Sequence, residues 1–402
     1  MTPLSQNHGW LGSPTGVLWP AKEPETISEQ QNPFIKFRSF LWSHKNAVEK
    51  GFTDRDFIQL VNRLDNSIGE VDGTGFSQTP FENCSDLSSA VGRTGDLWIK
   101  NETENVSGSH KARHLFGLAL HLEVDEVPLT TPLSIASCGN AALGAAVVAR
   151  AVNRPLIVHV PVWAETSILD HLADLDADIR ICERKENEEG DPCVLRSQEA
   201  VAEGAISFGC QGTENVFTID GGRTLGFELA DAWISTQKIP EHLFIQVGGG
   251  ALASSVIQAL YTALNLGVLE QLPVLHSVQS EGCSPLSRAF DIVSSSVDPL
   301  ESLDGDEPMW AWENPASVAI GILDDVVYDW KPIVWALLEM GSRPMSVNEE
   351  TLLKAHKLVH GHTSISPCIT GTSGIAGILA SHQEGTLNPD STVAALVTGI
   401  ER

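Results

Sequence analysis

Lys111 sits in Ser107-Gly108-Ser109-His110-Lys111, between a strand-like run and a helical one. A lysine there, flanked by glycine and serines, can neutralise a phosphate or form a Schiff base with an aldehyde. It can also be an ordinary solvated lysine. Ser137-Cys138-Gly139-Asn140 follows the apolar run Leu133–Ala136 and precedes a small-residue helix. Ser and Asn are good helix caps. Equally, the free N–H groups of a helix start can hold a carboxylate, with the Asn140 amide donating to a phenolic oxygen. Cys138 has no evident histidine partner and reads as a spacer. Gly248-Gly249-Gly250-Ala251-Leu252 lies between a strand-like run and a helix from about Ser254. Three glycines let the backbone approach an anion closely, and the helix end adds positive charge. A plain tight turn would use the same residues. With Ala253 the run fits GxGxxG/A loosely, but Glu281 stands late for a ribose-binding acid. No GK[ST] follows, so the reading is one phosphate rather than a dinucleotide or triphosphate. Thr398-Gly399 ends the last strand-like run and offers a hydroxyl to a ring nitrogen. His356, His360 and His362 read as surface histidines with no metal: Gly361 is expected to break their helix, and the sequence shows no acidic partner.

These residues need elements to position them. Apolar runs suited to strands are Leu97–Lys100, Leu133–Ala136, Leu156–Val160, Ile179–Cys182, Leu243–Val247, Leu275–Gln279 and Val393–Val397. Helical patterns fall between them at His114–His121, Ala141–Val152, Thr166–Asp174, Gly222–Ser235 and Ser254–Leu264. Such alternation predicts an α/β fold with mostly parallel sheets covered on both faces. Ligands then bind beyond the carboxyl ends of the strands, where all four loops lie. Residues 1 to about 75 are polar and mixed, with a short helix expected at Asn32–Ile35 and another capped near Thr53–Asp56.

An imine-forming lysine, an anion loop with asparagine, a glycine phosphate cradle and a terminal hydroxyl, in that order, are what pyridoxal phosphate requires. From roughly residue 79 to the end, the chain resembles the fold-type II (tryptophan-synthase-β-like) pyridoxal-phosphate enzymes. Thr79-Pro80-Phe81 is similar to the family's TPL opening. Trp98 to Glu102, then Ser107 to Arg113, is similar to its K-x-E…(T/S)GS-x-K-x-R segment. The resemblance implies that Lys111 carries the cofactor and that Ser137, Cys138, Gly139 and Asn140 bind the substrate carboxylate, Asn140 also touching the cofactor. It further implies that Gly248, Gly249, Gly250, Ala251 and Leu252 hold the phosphate and that Thr398 faces the pyridine nitrogen. The implied fold is two open, twisted, mostly parallel sheets flanked by helices, in a large and a small domain with the cofactor in the cleft between them. The expected division is an extension at 1–78, a large domain at 79–129 and 219–402, and a small mobile domain at 130–218. A homodimer is expected.

Within that family, Asp220 to Glu228 is similar to the EGQKTIAFE stretch of threonine synthases. So are Ala316–Gly321, Pro367–Gly377 and the entry at Asn32–Arg38 to their counterparts. Ala112 and the glycine loop are closer to threonine dehydratases. The expected activity is therefore threonine synthase-like, eliminating or replacing a β- or γ-group of a small hydroxy- or phospho-amino acid. A threonine/serine ammonia-lyase is the alternative, and an inactive cofactor-binding homologue a distant one. Arg113, Arg223 and Lys331 are candidate cations for a substrate phosphate, or ordinary structural charges.

Composition narrows the partners. Lys plus Arg is 25 against 52 Asp plus Glu, a net charge of −27, which repels nucleic acid and anionic membranes. No apolar run reaches the ~18 residues needed to span a bilayer. Seven cysteines without a CxxC pair read as reduced thiols, and MTPLSQNHGWLG carries no signal-peptide pattern. A cytoplasmic enzyme with an amino-acid substrate is expected.

Overall fold

Apolar, β-branched runs bounded by turns become strands in the computed structural model, which describes residues 18–20, 32–186, 188 and 190–402. The leader reading at residues 1–12 and part of the acidic loop 186–191 lie outside the described residues. The strands are β1 (Phe81–Asn83), β2 (Leu97–Asn101), β3 (Leu133–Ala136), β4 (Leu156–Pro161), β5 (Asp178–Cys182), β6 (Ile206–Ser207), β7 (His242–Gln246), β8 (Val274–Ser280), β9 (Met345–Val347) and β10 (Val393–Val397). They form two sheets, in the orders β1-β2-β10-β7-β8-β9 and β5-β4-β3-β6. Between the strands named here, only the β1–β2 pairing is antiparallel. Helices cover the sheets, so β10 is buried at every position and β7 at all but His242. The three strands without a sequence signal, β1, β6 and β9, are two or three residues long and lie at sheet edges.

Each sheet organises one compact unit. The first comprises residues 79–104 and 225–402, with Trp19 packed edge-on to Phe227. Its core joins Leu243, Ile245, Val256, Trp335 and Leu396. β2, β10, β7 and β8 run parallel, so Glu102, Thr398, Gly248 and Glu281 all follow carboxyl ends on one side of the sheet.

The second unit comprises residues 32–78 and 105–224 of the described chain. Residues 32–78 and 105–129 thus group with the four-stranded sheet, where the sequence set the first apart and assigned the second to the larger domain. Packing is the reason. The helix Asp54–Asp72 lays Phe57, Leu60, Val61, Leu64 and Ile68 inward and packs against the helix Asn140–Ala151. That helix in turn packs against Lys111–Val124. Thr53 and Asp56 form the capping box at the start of Asp54–Asp72, and Gly73 ends it at φ 86°. No helix among the described residues is long and apolar enough to cross a membrane.

Candidate active site

The second unit holds the lysine. Ser107 and Gly108 both take left-handed backbone, at φ 53° and 62°. A serine there is strained, and its N–H is held by Asp72 Oδ2 at 3.0 Å. Ser109 then returns to extended backbone, and Lys111 opens the helix Lys111–Val124. That helix is buried almost throughout, so the lysine stands on a fixed base. Two positions on, Arg113 is buried and its Nη1 donates to Thr224 Oγ1 at 3.1 Å. A Cβ on Gly221 would lie 2.0 Å from the Arg113 carbonyl oxygen, so only glycine permits this crossing. His114 lies on the next turn, 2.9 Å from the Thr218 carbonyl oxygen. Burial first, then the Lys111 charge, depresses its pKa to about 3, so it is a neutral donor.

Asn140 stands in the same unit. β3 delivers Ser137 to the loop, and Gly139 is the N-cap of the helix Asn140–Ala151 without a side-chain capping bond. The cap position thus falls on Gly139 rather than on Ser137 or Asn140, and the Gly139 N–H donates to Ser137 Oγ at 3.4 Å. An uncapped helix start suits a carboxylate. A Cβ on Gly144 would meet Ser107 Oγ at 3.3 Å and Leu115 Cδ1 at 3.1 Å, so this helix lies against the lysine loop. The unit thus brings Lys111's loop and Asn140's helix together. Burial, reinforced by Asp191, raises the Cys138 pKa, which makes it a poor thiolate and leaves it a spacer.

The first unit holds the glycine loop and Thr398. Gly250 caps the helix Ala251–Asn265 at φ 95°, a left-handed conformation. A Cβ there would lie 2.8 Å from Val327 Cγ1, and one on Gly248 would lie 2.9 Å from Ile322 Cα. The segment after Ala316–Gly321 therefore walls the loop. Neither Gly249 nor Gly250 spends its N–H on a backbone hydrogen bond among the described residues outside helices and strands. Ala251 and Leu252 form the first turn of the buried helix. Thr398 is 3% exposed, and its Oγ1 accepts from Gln246 Nε2 at 2.5 Å. The same amide nitrogen faces the Gly371 carbonyl oxygen at 3.5 Å. Since Thr398 Oγ1 accepts there, its proton is directed elsewhere as a donor.

The quoted K-x-E motif has a structural role in this unit. Lys100 Nζ donates to Glu228 Oε2 at 2.5 Å and to the Thr79 carbonyl oxygen at 2.6 Å, all buried. Thr79 N–H reaches Glu228 Oε2 at 3.0 Å, and the Thr79 hydroxyl donates to Glu102. The pair and its hydrogen bonds tie β2 to the segments before β1 and after residue 224.

A profile of the pyridoxal-phosphate dependent enzymes matches residues 74–399. The chain belongs to this family. It is similar to a threonine synthase of Methanosarcina acetivorans, 24% identical over 326 residues, covering 80% of this chain and 74% of the relative. A cysteate synthase of Methanococcoides burtonii is 24% identical over 277 residues, 66% of this chain and 60% of that one. Among solved structures, threonine deaminase isoform 2 of Solanum lycopersicum superposes with a TM-score of 0.63 at 19% identity, over 88% of this chain and 91% of the other. That likeness confirms the fold of two mostly parallel sheets flanked by helices.

Like its family, the protein is pyridoxal-phosphate dependent, and its residues fit the cofactor. Glycines 248–250 stand where the walling segment admits no side chain, so bare backbone opens the 15-residue helix, and such a helix start suits a phosphate. One charge opposes: a Cβ on Gly248 would lie 2.5 Å from Asp324 Oδ2, so a carboxylate flanks the loop that must hold an anion. Gln246, Asp72 and Asp324 were not among the sequence candidates. Gln246 alone carried a signal, as a polar residue at the end of the apolar strand LFIQ.

Arg113 and Arg223 are both engaged within the fold. Arg223 is buried, donates to the Phe40 carbonyl oxygen at 2.9 Å and lies 3.7 Å from Asp220. Asp220 itself accepts from the N–H groups of Trp42 and Ser43, anchoring the helix Trp42–Glu49. Lys331 pairs with Asp306 at 2.8 Å.

Proposed function

We propose that the protein removes or replaces a β- or γ-group of a small hydroxy- or phospho-amino acid in the manner of threonine synthase. When bound, pyridoxal phosphate supplies the electron sink for negative charge at the substrate α-carbon. Lys111 would hold the cofactor through Nζ and, with its amine free when substrate is bound, would serve as the base for the α-proton. Asn140 orients the cofactor's phenolic oxygen, and the N–H groups of Ser137 to Asn140 hold the substrate carboxylate. Gly248, Gly249, Gly250, Ala251 and Leu252 hold the phosphate. Thr398 donates to the ring nitrogen.

The observation that carries elimination over transamination is the Gln246–Thr398 hydrogen bond. On this reading the ring-nitrogen partner is a neutral hydroxyl, which would not keep that nitrogen protonated as a carboxylate would. Similarity to an archaeal threonine synthase over four-fifths of the chain supports the synthase reading. The engagement of Arg113, Arg223 and Lys331 favours the second reading, a threonine/serine ammonia-lyase, which needs no site for a substrate phosphate. Seven cysteines, all free thiols, support a reducing compartment, and we place the enzyme in the cytoplasm as a homodimer.

Phosphate release and keto-acid release, read side by side, test this. Threonine and phosphate formed from O-phosphohomoserine support the synthase. If that compound is inert while threonine or serine yields keto acid and ammonia, the ammonia-lyase holds. If no amino acid exchanges its α-proton in deuterated water, the chain is an inactive homologue.

A further inference from the structure

The helix Glu349–His362 runs through Gly361 without a break. The helix ends one residue beyond Gly361, so His356 and His360 both stand before its end. The helix stops at Thr363, whose N–H reaches the Val359 carbonyl oxygen. His356 and His360 therefore share one face, four residues apart. Their Nε2 atoms lie 3.1 and 2.9 Å from one oxygen, the Pro367 carbonyl. Glu401 supplies the acid that the sequence did not reveal, with a carboxylate oxygen 3.4 Å from His360 Nε2 and another 3.9 Å from His356 Nε2. One ligand atom from each of these three side chains lies within 4.8 Å of the others.

The backbone presets the last two donors. Pro367 bridges Ile400 in an antiparallel pair. Glu401 N–H donates to the Ser366 carbonyl oxygen at 3.0 Å, and Cys368 N–H to that of Gly399 at 2.8 Å. Two imidazoles, one carboxylate and one carbonyl thus lie in one cluster. Donors about 2.1 Å from a tetrahedral ion stand about 3.4 Å apart. The imidazole-to-carbonyl distances, 2.9 and 3.1 Å, and the imidazole-to-carboxylate distances, 3.4 Å to one oxygen and 3.9 Å to the other, lie to either side of that spacing or at it.

We propose that His356, His360, Glu401 and the Pro367 carbonyl bind one divalent transition ion of the zinc class. Imidazole nitrogen selects against magnesium and calcium, and no thiolate is in the set to demand a softer ion. The bound form places each ring proton on Nδ1 and turns the Nε2 lone pair to the ion, replacing two N–H···O bonds to Pro367. The carboxylate leaves one net positive charge on the site, which the chain's −27 background favours. The ion clamps the helix to the ribbon that begins immediately after Thr398. The site is separate from the proposed reaction and does not depend on it.

The test is zinc titration of chelator-treated, dialysed holoenzyme by calorimetry, with thermal melts alongside. The unmodified protein should take up one Zn²⁺ per chain and melt higher with it. His360→Ala and Glu401→Gln should each weaken binding by about tenfold or more and lose the thermal gain. His362→Ala, on the same helix outside the cluster, should bind as the unmodified protein does. Glu401 is exposed, so its variant folds even if His360→Ala does not. Binding equal in the unmodified protein and Glu401→Gln, or weakened as much by His362→Ala, overturns the site.

Discussion

The residues proposed to hold the cofactor's phosphate and ring are set in a buried frame. Thr398 is held by Gln246, the glycine loop caps a buried helix, and the Lys100–Glu228 pair ties β2 beneath them. In the other unit, Ser137, Cys138, Gly139 and Asn140 are all partly exposed, and the helix they start has no side-chain cap. On the proposed function, the difference matches what each part would bind. A permanently held group is served by donors fixed before it arrives. A substrate that enters and leaves needs N–H groups that solvent can reach. Lys111 has both characters: its helix is buried, while its own side chain is partly exposed.

Breaking the fixed half should have the largest effect. Gly249→Asp puts a Cβ 3.2 Å from Tyr328 Cδ2 and adds a carboxylate beside that of Asp324. Cofactor content, read from its visible absorption, should fall to near zero while far-ultraviolet circular dichroism persists. Retained cofactor would mean that the loop is only a turn.

The frame itself can be broken next. Lys100→Met leaves Glu228 buried without its cation, and urea denaturation should show a loss of about 3–5 kcal/mol. A double change, Lys100→Met with Glu228→Leu, should cost less than the single one. A single-variant loss within about 0.5 kcal/mol would mean that the pair is not structural.

Acid sharpens the comparison because buried or half-buried histidines occur in both units. Burial lowers His114 to about 3 and His159 to about 4 in the lysine unit, and His276 to about 4 in the other. The unfolded chain takes up these protons below about pH 6.5 and the folded chain does not. Stability contributed by these groups is present above pH 6.5 and is lost as pH falls toward 4. Denaturation midpoints should hold between pH 7 and 8 and decline steadily below about 6.5. A flat profile down to pH 4.5 would contradict these burials.

The smallest effect is expected in the open half. Asn140→Ala should raise KM roughly tenfold through a lost hydrogen bond to a charged or ionisable partner, about 1.5 kcal/mol. Stability should change by no more than about 0.5 kcal/mol. Unchanged kinetics would remove Asn140 from the site.

Much of this was legible because the signals are local. β3 and β10 match their apolar runs residue for residue, and the site loops follow strand ends as parallel sheets require. Gln246, Asp72 and the Glu401–His360 pairing were not legible, since each partner is remote in sequence: Gln246 and Thr398 lie 152 residues apart. The motif K-x-E was visible, but its structural role was not, because only the fold brings Glu228 to Lys100. The domain boundary moved for the same reason: helix packing, not strand–helix alternation, decides where residues 105–129 belong.

The account turns on Lys111. Borohydride reduction of the holoenzyme, followed by proteolysis and peptide mapping, fixes the cofactor to the lysine that carries it. The predicted result is one labelled peptide spanning Ser107–Arg113, modified at Lys111. Label on any other lysine, with that peptide unmodified, would contradict the assignment.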